Sequence, residues 1–269
     1  MSRAKKIIAI LVRIIPCLII LVFLTGGFFV PNDPTFADVT HRFGVPSAEY
    51  PLGTDSLGRC NLSRLLAGGT TTIGIVALGA ALVSIIGTSL GLLMGSARSG
   101  KHMLAESALN AITAIPPIAY LIIFIAAWGN GIHTMLVAIT VSLFLRLIKL
   151  IKSRTEVELG RAYILCARAC GASPARVLFV HVLPNVAKDV IHFICLSSAD
   201  MILAITAFSF IGLGMGDNVV DWGVMVADAH HYVIAYPELI GYPILCIVLT
   251  ALAFNLLARS FESRGEVNA

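Results

Sequence analysis

Apolar runs about as long as a bilayer is thick recur six times along this chain, at roughly 7–30, 70–95, 104–127, 132–151, 186–211 and 238–258. A helix needs about 20 apolar residues to cross the hydrocarbon layer, and only structures that pair their own backbone groups survive there. The runs therefore predict an all-α polytopic membrane protein with six transmembrane helices. Charge content agrees: 13% of residues are charged, about half of the roughly 25% usual in soluble domains. Residues 1–69 read as an N-terminal transmembrane helix and an extracytoplasmic loop, 70–258 as the core, and 259–269 as a cytoplasmic tail.

The start "MSRAKK" followed by an apolar stretch resembles a secretory signal. The stretch outruns the 7–15 residues of such a core, and no small-x-small cleavage site precedes "VPNDP". A retained first helix is the expectation.

With six spans, both termini share one side. That side collects 16 of the 19 Lys and Arg, eight of them between Arg146 and Lys188; the other side has only Arg42, Arg59 and Arg64. Lys and Arg are held in the cytoplasm during insertion, so both ends are predicted to be cytoplasmic. The net charge of +4 then reflects topology, and nucleic acid is not an expected partner. The outer stretch 212–237 holds Asp217, Asp221 and Asp228 without Lys or Arg, and Trp222 and Tyr232 read there as membrane-interface anchors.

Six Cys lie scattered at 17, 60, 166, 170, 195 and 246. One on the oxidising side leaves no internal disulfide there. Cys166 and Cys170 have no further ligands nearby for a zinc site, so no metal or cofactor is expected. Phosphate-loop, H-E-x-x-H and G-x-S-x-G patterns are absent; catalytic residues are not predicted.

The segment "RAYILCARACGASPARVLFVHVLPN" (161–185) stands out between two apolar runs. Residues from Glu156 to Cys170 suit a helix, with Arg154, Arg161 and Arg168 at intervals of seven along one side. Gly171 is a natural helix stop, Ser173 an N-cap and Pro174 a first helical residue, while Pro184 marks a break before the fifth span. Helix, bend, helix on the cytoplasmic side is the result, as an elbow lying on lipid or docked to a partner.

Here the sequence resembles the permease subunits of ATP-binding-cassette importers. Their cytoplasmic loop reads E-A-A, three residues, Gly, nine residues, I-x-L-P, and Gly171 with Leu183-Pro184 falls on that spacing. "LGTDSLGRCNLSRLLAGG" (52–69), "FSFIGLGMGDNVVDWGVMVADAHHY" (208–232) and "AFNLLA" (253–258) are similar to segments of the dipeptide, oligopeptide and nickel branch, as the second permease of the pair. The resemblance implies a type I importer permease with a coupling loop at 153–185. Tyr163, Ala167, Arg168, Gly171, Ala172 and Ser173 would meet one of two cytoplasmic ATPase subunits, which hydrolyse the ATP. It also implies a second homologous permease, an extracytoplasmic solute-binding protein and membrane lipid as partners. The protein would be a multi-pass component of the bacterial inner membrane. Leu165 and Cys166 replace the motif's Glu and first Ala, Cys60 an Asp, and Ile205 a Glu common in peptide carriers. The pattern leans towards nickel or a metal chelate over short peptides as cargo.

Ionisable residues at membrane depth point to function. Asp200, near the middle of the fifth run, with His192 and Ser197 on the same helix, is the candidate wall of a translocation path, or else a contact with the partner permease. Pro116 and Pro117 are predicted to kink the third run. His230, His231 and Asp228 read as a solvated outer loop. An ion-coupled secondary transporter is the rival class; its inverted repeats with paired broken helices are not evident in the sequence.

Overall fold

The computed structural model describes residues 3–97, 102–216 and 219–261. Arg98, Lys101, Asp217, Arg264 and the tail from 262 lie outside the described residues. The described chain is helical, with one isolated bridge, Thr54 to Cys60, closing a turn just before Asn61.

Helix α1 (Arg3–Thr25) is followed by an irregular segment, then by α2 (Asn61–Ser96), which begins well before residue 70. Next come α3 (His102–Thr113), α4 (Pro117–Trp128) and α5 (Ile132–Leu159). A short α6 (Ala162–Ala169) leads to α7, a continuous run over Pro174–Phe210. Helices α8 (Trp222–Ala229) and α9 (Pro237–Phe261) complete the chain.

Four of these, α2, α5, α7 and α9, are long and apolar enough to cross a membrane. A fifth candidate is the pair Ser107–Thr113 and Ile118–Trp128, bent by 82°. The bend falls at Pro116, whose extended backbone (ψ 144°) is what a following proline favours, and Pro117 opens the next helix where its missing N–H is harmless.

Helix α2 packs most extensively against α5. Gly79, Gly87, Gly91 and Gly95 face that helix, and a Cβ on Gly91 would lie 2.7 Å from the Ile151 Cβ. Small residues let two backbones approach closely where lipid offers no hydrophobic drive. Ile73, Val76, Val83, Met135, Leu147 and Ile151 fill the seam at full or nearly full burial.

Two expectations are corrected. The helix predicted over 156–170 is divided at Gly160, so Arg154 sits on α5 while Arg161 caps α6 and Arg168 ends it; the seven-residue spacing crosses a bend and defines no common face. Pro184 does not separate the elbow's second helix from the fifth span. It lies inside the continuous run Pro174–Phe210, just after a π-helical segment, Val177–Val182, and the helix carries on through it.

Candidate functional site: the elbow, the exposed carboxylate and the charge clasp

The elbow is built by local rules. Helix α6 ends with the Gly171 N–H bonded to the Arg168 carbonyl and the Ala172 N–H to the Ala167 carbonyl, both 3.0 Å. This Schellman arrangement needs a left-handed residue, and Gly171 has φ +85°. Ser173 then caps α7, its hydroxyl accepting from the Arg176 N–H at 3.3 Å. The structure thus brings Tyr163, Ala167, Arg168, Gly171, Ala172 and Ser173 together on one protrusion; Ala167 and Ala172 are half-buried and the other four are exposed.

Behind the elbow, Glu158 at the end of α5 is buried; one carboxylate oxygen accepts from the Tyr163 hydroxyl and the other from Arg161 Nε at 2.9 Å. Asn185 Nδ2 donates to the Tyr163 oxygen at 2.9 Å. Burial, then the Glu158 carboxylate, pushes the Tyr163 phenol above its usual range. The sequence reading missed Glu158 and Asn185, whose polarity at the edges of apolar runs was the available signal. A cleft of about 320 Å³ lies beside this cluster, between Ser96, Leu159, Arg168, Pro174 and Leu178.

The three residues expected on the path diverge. Asp200 is exposed on an otherwise apolar stripe of α7 with Leu196, Leu203 and Phe210, and makes no hydrogen bond or ion pair among the described residues. Ser197 is buried inside the chain, and His192 Nδ1 lies 2.9 Å from the Ala258 carbonyl of α9.

At the opposite end, the segment 52–69 forms a charge clasp. Arg59 contacts Asp55 and Asp228 at 2.7 Å each, and Arg64, 2% exposed, binds Asp55 and reaches Asp228 at 2.8 Å. Two Arg balance two Asp, so no net charge is buried. Asp228 is therefore an ion-pair partner rather than a free loop carboxylate, while the rings of His230 and His231 lie 3.6 Å apart, tilted by 41°. Trp222 is no interface anchor: it is fully buried, edge-on to Phe23, with its indole N–H on the Leu65 carbonyl. The interface reading failed because helix α8 folds back among α2, α7 and α9. Asp221 caps α8 by accepting from the Gly223 N–H at 2.6 Å and the Val224 N–H at 3.1 Å. Its burial pushes its carboxyl above the usual range, against the opposing pull of the nearby Ser209 hydroxyl and of the Val224 and Gly223 amide hydrogen bonds. Among the described residues, no group of three His, Cys, Asp or Glu could hold a metal.

Residues 87–264 match the family model described as "Binding-protein-dependent transport system inner membrane component". The chain is 30% identical over 251 residues to the nickel transport system permease protein NikC of Escherichia coli (strain K12), covering 92% of this chain and 89% of that protein. It is 31% identical over 247 residues to the di/tripeptide transport system permease protein DppC of Pseudomonas aeruginosa (strain UCBPP-PA14), covering 89% and 81%. In fold it is similar to the inward-facing MetNI methionine ABC transporter, with a TM-score of 0.59 at 16% identity over 74% of this chain and 97% of that one.

Proposed function

Because the chain belongs to the family of binding-protein-dependent transport system inner membrane components, we propose that its elbow receives the stroke of cytoplasmic ATPase subunits and that the stripe carrying Asp200 faces the cargo path. The chain is the permease of an ABC importer in the peptide and nickel family, and ATP is hydrolysed on other subunits. Membership implies ATPase and binding-protein partners.

In this reading α1 and the bent pair supply the first and third of six spans, both termini are cytoplasmic, and the elbow projects from the cytoplasmic face. Two ATPase subunits, a second homologous permease and the binding protein complete the assembly. The capped protrusion of Tyr163, Ala167, Arg168, Gly171, Ala172 and Ser173 is the observation that carries it. Helix α6 exposes Leu165, flanked by Arg161 at its cap and by Arg168 in its last turn, a surface that offers a partner both apolar and cationic contacts. Gly171→Arg abolishes stimulation of ATP hydrolysis by the binding protein in the assembled complex; undiminished stimulation with normal assembly refutes the coupling role.

Asp200 supports the path. A carboxylate costs about 2.5–3.5 kcal/mol at the bilayer centre on insertion scales, so its face meets water, cargo or the second permease rather than lipid. His192 holds α7 to α9, and Ser197, one turn from Asp200, packs inside the chain behind that stripe. A cationic cargo suits this carboxylate: nickel or a metal chelate first, a short peptide's ammonium group second. The near-equal likeness to nickel and di/tripeptide permeases leaves the choice to experiment. Uptake of radiolabelled nickel against a labelled dipeptide, in a strain deleted for this gene and complemented with Asp200→Asn, decides it.

A further inference from the structure

The elbow reaches the membrane span by two routes of different stiffness. The backbone route runs from Ser173 through one α-helical turn and then the π-helical residues Val177–Val182, where the Leu183 N–H bonds the Leu178 carbonyl. Such turns are rare and recur at functional joints, and helices bend at them. Pro184, directly after it, has no N–H to add. This stretch is the compliant one.

A side-chain route bypasses it. The Tyr163 hydroxyl on α6 donates to Glu158 on α5 and accepts from Asn185 Nδ2 at 2.9 Å. Asn185 lies beyond the π-helical segment and also donates to the His181 carbonyl at 2.7 Å. Glu158 is 7% exposed, and a buried carboxylate holds its partners by charge-assisted hydrogen bonds, the strongest kind available to side chains. Tyr163 is thereby fastened to two spans at once.

We propose that Glu158, acting through Tyr163, is the positioning residue of a strut that carries movement of the elbow past the π-helical turn to α7 at Asn185. The proposal rests on the reading of the elbow as the coupling element. With the strut intact, a displacement of α6 moves the ends of α5 and α7 together. With it cut, the π-helical turn absorbs the displacement and the Asp200 stripe stays where it is.

The test uses the whole complex in lipid nanodiscs, comparing ATP hydrolysis with and without the binding protein. Asn185→Ala lowers the stimulation about tenfold, the equivalent of about 1.4 kcal/mol, and leaves the basal rate in place. Glu158→Gln, which keeps an acceptor for Tyr163, retains most of the stimulation, while Glu158→Ala loses as much as Asn185→Ala. Tyr163→Phe combined with Asn185→Ala is no worse than either alone, because links in series do not add. Unchanged stimulation in Asn185→Ala, or losses that simply add, overturns the proposal. A parallel fall of basal and stimulated rates with a lowered thermal midpoint also overturns it, because the cluster is then only a brace. Gly171→Arg separates the two ideas. Stimulation surviving that change refutes the coupling reading, whereas its loss beside an unaffected Asn185→Ala refutes the strut alone.

Discussion

The indole N–H of Trp222 donates to the backbone carbonyl of Leu65 at 3.0 Å, joining residues 157 positions apart in a site closed to solvent. Leu65 lies in the first turns of α2, and Trp222 begins the short helix α8. Gly68 and Gly69 make room for the ring; a Cβ on Gly69 would stand 2.9 Å from the indole carbon Cζ2.

Trp222→Phe removes the second donor to a carbonyl that α2 already pairs and leaves a void, at a cost of about 0.5–1.5 kcal/mol for the lost hydrogen bond, with the void in addition. Gly69→Val overfills the same site. Each variant lowers the thermal midpoint of the purified protein in detergent, and an unchanged midpoint in both discounts the contact.

The glycine seam of α2 makes a paired prediction. Gly91→Ala puts a methyl group 2.7 Å from Ile151 Cβ, and overpacking of this kind costs about 1–3 kcal/mol. Gly74 has nothing within 4 Å of its hypothetical Cβ, so Gly74→Ala is neutral or slightly stabilising. Thermal unfolding of the two variants side by side checks both signs.

In the charge clasp the two carboxylates are unequal. The Asp55 side chain is 8% exposed and that of Asp228 34%. Removing one member of a buried pair costs about 3–5 kcal/mol, and solvent reduces that for the more exposed partner. Asp55→Ala therefore destabilises more than Asp228→Ala, read as the rate of proteolysis in the 31–60 segment. Equal rates would contradict the ranking.

Two acids pull stability in opposite directions with pH. Asp221 has a raised folded-state pKa, so its contribution is complete below the ordinary value of 3.8 and fades as pH rises through the folded value. Asp221→Asn removes that dependence and is relatively more stable at neutral pH. Asp38, held at about 2 first by Thr40 and then by His41, contributes above 3.8 and loses that as pH falls towards 2. Thermal midpoints measured against pH for Asp221→Asn and Asp38→Asn give slopes of opposite sign relative to the parent chain.

How much was legible depended on how local the physics is. Gly171, Ser173 and Pro174 announced the elbow, since a left-handed stop and an N-cap are set by neighbours in sequence. Apolar length announced α2, α5, α7 and α9, because bilayer thickness is an external ruler that the sequence alone can be measured against. The segment 52–69 was recognisable as a pattern, yet its purpose was not: Arg64 and Asp228 lie 164 residues apart and meet only once α8 has folded back onto α2.

Trp222 shows the same limit from the other side. An aromatic residue in an outer loop reads as an interface anchor, and packing against glycines far upstream made it core. The chain by itself determined that it lives in a membrane, which ends are charged and where its elbow turns, because solvent, charge and backbone conformation act residue by residue. Tertiary structure alone decided which polar groups meet. Glu158 and Tyr163 meet across the short turn at Gly160, but Asn185, 22 residues beyond Tyr163, joins them only because α7 packs beside α5 and α6.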